Sequence, residues 1–127
     1  MAGIAELLFV PATVMQRLRL GEEIEAGLRL IDKKTLVEDK SAFIQFSRGG
    51  DGPCMACGLG LGLIGMLGLE RVREIASRTG YRMMRDEVVE LLGCGERLGM
   101  DVSNAHLNLG MKARDISRAL RDGQALA

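Results

Sequence analysis

From Thr13 onward apolar residues recur at Val14, Leu18, Ile24, Leu28 and Ile31, while Arg17, Glu22, Glu23, Glu25 and Arg29 fall largely between them. This is the helical period with one apolar face, and it predicts an amphipathic helix entered at Pro11, whose missing N–H costs nothing at a helix start. Gly21 and Gly27 weaken that helix by about 1 kcal/mol each relative to alanine, so a break or bend near Gly21 is expected. Asp32 to Lys40 is charged and reads as a turn or loop. Ala42-Phe43-Ile44-Gln45-Phe46 carries β-branched and aromatic residues and predicts a short strand, or an extended arm that plugs the core. Arg48-Gly49-Gly50-Asp51-Gly52-Pro53 is a loop signal.

The stretch from Cys54 to Gly68 has two periods at once. Leu59, Leu61 and Leu63 alternate with glycine, as in a strand. Gly58, Gly62 and Gly65 share one helical face, which would let a second helix approach closely. The length of the run and its near lack of β-branched residues favour a buried helix. Leu69 to Arg78 then repeats helical spacing and Gly80 offers a stop. Tyr81 to Leu92 predicts another helix, with Met84, Val88 and Leu91 on one face, broken by Gly93-Cys94-Gly95. Asp101 can cap a short helix carrying Asn104, His106 and Asn108 and ended by Gly110. Ala113 to Leu120 predicts a last helix, closed at Gly123.

A chain of 127 residues fits one domain, 1–127, with one core. Aromatics are 3% of residues, so that core must be aliphatic. Seventeen basic and seventeen acidic residues give zero net charge, without the basic excess that nucleic-acid binding usually needs. Near-zero charge also eases self-association. Met1 to Val10 has no basic n-region and includes Glu6, so no signal peptide is expected, and three cysteines without one point to a reducing cytoplasm. Gly52 to Leu69 is uncharged, but Pro53 and its glycines favour a buried core segment over a membrane span.

Cys54-x-x-Cys57 is the most specific chemical feature. A thiol at a helix N-terminus is favoured as thiolate, and a pair so placed could do reversible disulfide chemistry. The Gly-Pro step precedes the pair here instead of lying between the cysteines, and the βαβ context of thioredoxin-like proteins is absent. Both cysteines also suit plain packing. Cys94 and His106 could complete a Cys3His set with Cys54 and Cys57, a composition known for structural zinc, although Cys94 and His106 lack the close spacing of a usual second pair. His106 equally suits a hydrogen-bonded structural role. Cys57 or Cys94 with His106 and Asp101 has no local support as a catalytic set. Gly60-x-Gly62-x-x-Gly65 matches the dinucleotide fingerprint literally, but no strand ends just before it. Met111 to Leu120 is similar to the first helix of a helix-turn-helix, but no basic recognition helix accompanies it.

Met55-Ala56-Cys57-Gly58-Leu59-Gly60 and the stretch from Asn104 through Ile116 together resemble small bacterial and phage-type helical proteins. Those have a Cys-Ala-x-Gly central helix and an Asn-Asp-x-Gly-Met-Ser-like turn before a final helix. The Asn-Asp step is missing here, where His106-Leu107-Asn108 precedes Leu109-Gly110-Met111. The resemblance covers about half the chain. It implies a compact helical domain and carries over no activity and no catalytic residue.

The fold expected is mainly α: a compact single-domain helical bundle around a glycine-rich buried central helix, with one short strand or extended arm. The function expected is a non-enzymatic, cytoplasmic interaction module that binds a protein partner or itself as a homo-oligomer, without a cofactor, nucleic acid or membrane. The rival is a thiol-redox or structural zinc protein built on Cys54 and Cys57, with Cys94 and His106 as further zinc ligands.

Overall fold

Two helices cross at the centre of the molecule with their backbones in contact, and the rest of the chain is arranged around them. The computed structural model describes residues 12–126, so the helix entry at Pro11 and the segment before it lie outside the described residues. The elements are α1 (Ala12–Leu28), β1 (Leu36–Glu38), β2 (Ile44–Phe46), a 3-10 turn (Arg48–Gly50), β3 (Cys54–Ala56), α2 (Gly58–Leu67), α3 (Leu69–Ser77), β4 (Arg82–Met83), α4 (Arg85–Leu92), α5 (Glu96–Leu107) and α6 (Ala113–Asp122). The protein is therefore mainly helical with one small sheet.

α2 is the central element. Leu59, Leu61, Leu63 and Ile64 are all fully buried, each contributing roughly 2 kcal/mol of transfer free energy. A Cβ on Gly27 would lie 2.0 Å from the carbonyl oxygen of Leu61, and one on Gly65 would lie 1.9 Å from that of Glu23. Only hydrogen fits at either position. α1 runs unbroken through Gly21, because that glycine too marks a crossing: Ser117 Oγ of α6 donates to the Gly21 carbonyl at 2.6 Å.

The buried face of α1 is only in part the one that the pattern suggested. Ile24 enters the core and Leu28 packs against it, joined by Leu20, while Val14, Leu18 and, just beyond the helix, Ile31 are 45%, 37% and 39% exposed. For the first two the reason lies in α6. It stops at Gly123, in the left-handed region, and the Arg17 guanidinium donates to the carbonyl of Gln124 just beyond. The first turns of α1 outrun their partner, so among the described residues nothing in α6 covers the apolar side chains they aim toward it.

Four short strands occur where one was expected. The sheet order is β1-β3-β2-β4. β1 is parallel to β3 with Leu36 opposite Cys54, and β2 is antiparallel both to β3, with Ile44 opposite Ala56, and to β4, with Ile44 opposite Met83. Leu36, Ile44, Phe46, Cys54, Ala56 and Met83 turn into the core. Strands of two or three residues are too short to display a period of two, and the pairing that holds them is long-range. The loop assigned to Asp32–Lys40 thus contains β1, and the helix assigned from Tyr81 begins only at Arg85, because Gly80 and Tyr81 both take positive φ and turn the chain into β4. Asp101 caps nothing: α5 starts at Glu96, and Asp101 lies inside it.

One contiguous cluster of buried residues joins the sheet to all six helices. Among the described residues no helix is long and apolar enough to cross a membrane.

Candidate functional site

α5 turns Leu98, Val102, Ala105 and His106 inward. His106 is the chain's single histidine and is 4% exposed. Its Nε2 lies 3.8 Å from the Glu38 carboxylate at the end of β1, an electrostatic contact too long for a hydrogen bond. The same carboxylate oxygen accepts the backbone N–H of Ala113 at 2.9 Å. Ala113 opens α6, and Lys112 before it offers no side-chain cap, so Glu38 satisfies an otherwise orphan donor from 75 residues away. One carboxylate thereby ties β1, α5 and α6 together.

His106 Nδ1 is buried and has no hydrogen-bond partner among the described residues. It faces α2, since a Cβ on Gly58 would sit 3.7 Å from it. Burial pushes the imidazole pKa below its ordinary value, with Glu38 and Asp39 opposing and Lys40 assisting. The ring is therefore neutral near pH 7. An open groove of about 420 Å³ lies over the pair, with Lys40, Gly110, Met111 and Lys112 completing its lining.

The three cysteines are all free and buried. Cys54 lies in β3, where burial pushes its thiol up to about 12 against the Gln45 backbone and the nearby Arg73. Cys57 is the N-cap residue of α2, the place where a depressed pKa was expected. The amides of Gly60 and Leu59 do favour the thiolate there, but burial outweighs them and the shift is upward. Cys94 sits between α4 and α5, and burial raises it too, helped by Glu23 of α1. These are protonated thiols at neutral pH.

Among the described residues no three His, Cys, Asp or Glu side chains gather in a way that could hold a metal ion. The four residues proposed as zinc ligands sit in different company. Cys54 neighbours Arg73, Cys57 the first amides of α2, Cys94 the carboxylate of Glu23, and His106 the carboxylate of Glu38. Asp101 is exposed on α5 while His106 is buried. The Gly60-x-Gly62-x-x-Gly65 match is helix throughout: Gly60 abuts the Phe43 carbonyl, Gly62 abuts Leu20 and Ile24, and Gly65 abuts Glu23. Glu38 is the residue that sequence reasoning missed. It stood inside a charged run, and nothing local signals a cap for a helix so distant in the chain.

A second feature is superficial. Val14, Met15 and Leu18 are exposed along the first turns of α1, and a groove of about 350 Å³ separates Val14 and Leu18 from Leu120, Arg121 and Gly123 at the end of α6. Comparison with family models, with curated proteins and with solved structures finds no match to this chain.

Proposed function

We propose that the chain is a non-enzymatic interaction module that associates with itself. The observation that carries this reading is the uncovered apolar surface where α1 outruns α6: Val14, Met15 and Leu18 are 45%, 48% and 37% exposed side by side. Met66, Met84 and Met100 are exposed elsewhere, and flexible thioethers adapt to a partner's shape. Zero net charge leaves no long-range repulsion between copies. A reducing compartment such as the cytoplasm suits three cysteines that are all free.

Light scattering behind size exclusion tests it. The expected mass rises above the 13.8 kDa of one chain as concentration is raised into the high micromolar range. Met15→Glu with Leu18→Glu should return it to one chain. A wild-type protein that stays at 13.8 kDa throughout would overturn the reading.

A further inference from the structure

The charges of this chain balance in number but not in space. Between Arg85 and Asp101 five acids meet two arginines, whereas between Lys112 and Asp122 four bases meet two acids. α6 buries Ala113, Ile116, Ser117 and Leu120 and turns Arg114, Arg118 and Arg121 outward at one-turn intervals. Arg121 is engaged by Glu25 at 3.0 Å. Arg114 and Arg118 have no ion-pair partner among the described residues. Where α4 meets α5, a groove of about 470 Å³ is lined by Arg85, Asp86, Val89, Glu90 and Glu96, with Gln16 of α1 at its edge, so that three acids outnumber one base. Asp86 lies 3.5 Å from Arg85, but Glu90 and Glu96 are likewise without an ion-pair partner among the described residues.

We infer that a second copy of the chain seats the outer face of its α6 against this groove, with Arg114 and Arg118 meeting Glu90 and Glu96. This rests on the self-association proposed above and adds a charged contact to the apolar one at the start of α1. The two arginines lie one helical turn apart, about 6 Å along the axis. Guanidinium groups pair with carboxylates through two parallel hydrogen bonds, which fixes orientation as well as attraction. One copy supplies what the other lacks, so a chain with no net charge still recognises itself. Like charges set opposite one another reject the other registers.

Two charge-reversed proteins test the inference. One carries Glu90→Lys and Glu96→Lys, which leaves it basic on both surfaces. The other carries Arg114→Glu and Arg118→Glu, which leaves it acidic on both. All four side chains are exposed, and circular dichroism checks that each variant is folded. Each alone should associate at least about tenfold more weakly than wild type, because every charged contact is now repulsive. Mixed in equal amounts they should regain affinity near that of wild type, since every cross-contact is complementary again. Raising salt should weaken wild type and the mixture alike. Glutamine at the same four positions should weaken association without recovery on mixing, which guards against a reversal that fails to fold. Wild-type association that is indifferent to salt and to these variants would place the interface elsewhere, overturning this inference while the broader reading stands. A monomeric wild type would overturn both.

Discussion

Gly27 and Leu61 meet backbone to backbone: a Cβ on Gly27 would lie 2.0 Å from the Leu61 carbonyl oxygen. Two effects compete when Gly27 becomes alanine. Helix propensity favours alanine by about 1 kcal/mol. The clash is with main chain on both sides, so α1 and α2 must separate, and overpacking of this kind costs about 3 kcal/mol. The net expectation for Gly27→Ala is a loss of about 2 kcal/mol, read from urea unfolding. Gly58→Ala is the contrast. Its nearest neighbours, His106, Ile116 and Val102, lie at 3.7 to 3.8 Å, ordinary contact distances, so it should be neutral or slightly stabilising. Equal losses at the two sites would contradict this account of the crossing.

The Glu38 carboxylate should matter more than an ordinary surface acid. Glu38→Ala leaves the buried Ala113 amide without its acceptor, at a cost of about 1 to 2 kcal/mol. Glu38→Gln keeps an acceptor oxygen and should lose less. Amide hydrogen exchange localises the effect: the start of α6 should exchange faster in Glu38→Ala, with α3 unchanged. Uniform acceleration over the whole chain would argue against a local cap.

These two cases show what could be read in advance. The smooth face of Gly62 and Gly65 was legible because the need for a close crossing is written locally, at helical spacing. Gly58 shares that face in the pattern but meets His106 instead of α1. Val14 and Leu18 looked like core because periodicity reveals the face of a helix, not where its partner ends. Glu38 could not be read at all, since its charge fits a solvated turn and its task lies 75 residues away. β2 lies where the β-branched and aromatic run Ala42–Phe46 announced a strand, but the other three strands failed for the same reason: Leu36 and Cys54 pair across the sheet, and no local period marks them.

Two titrations should oppose each other near neutrality. Burial raises Glu23 from 4.5 to about 7, with Arg19 opposing and Glu22 assisting. A carboxyl raised in the folded state adds stability that is full below its unfolded value of 4.5 and is lost as pH rises through about 7. Because Glu23 is only half-buried, solvent screening reduces the loss to about 1 kcal/mol. His106 is depressed by burial, so its contribution is present above its unfolded value of 6.5 and is lost as pH falls through its folded value. Glu23→Gln should match wild type at pH 4 and exceed it at pH 8. A His106→Gln background should remove the acid-side loss. Identical pH–stability curves for wild type and Glu23→Gln would exclude the carboxyl as a contributor.

The thiols supply the sharpest contrast between packing and chemistry. Burial keeps all three protonated, so in the folded protein they should react with a disulfide reagent at pH 8 far more slowly than a free thiol, and three equivalents should appear on denaturation. The two members of the Cys-x-x-Cys pair should then respond differently to serine. Cys57 is the N-cap residue of α2, where a serine oxygen is a better acceptor for the first amides than sulfur, so Cys57→Ser should be nearly neutral in stability. Cys54 is fully buried in β3, where its thiol donates weakly to the Met55 carbonyl at 3.8 Å, so Cys54→Ser should cost about 1 to 3 kcal/mol by burying a hydroxyl. A redox or zinc role makes the opposite prediction: Cys57→Ser would abolish bound metal or shift the redox titration while stability changed at both positions together. Metal content and thiol count on protein purified under reducing conditions without chelator decide between them, since about one zinc per chain would establish the metal reading outright.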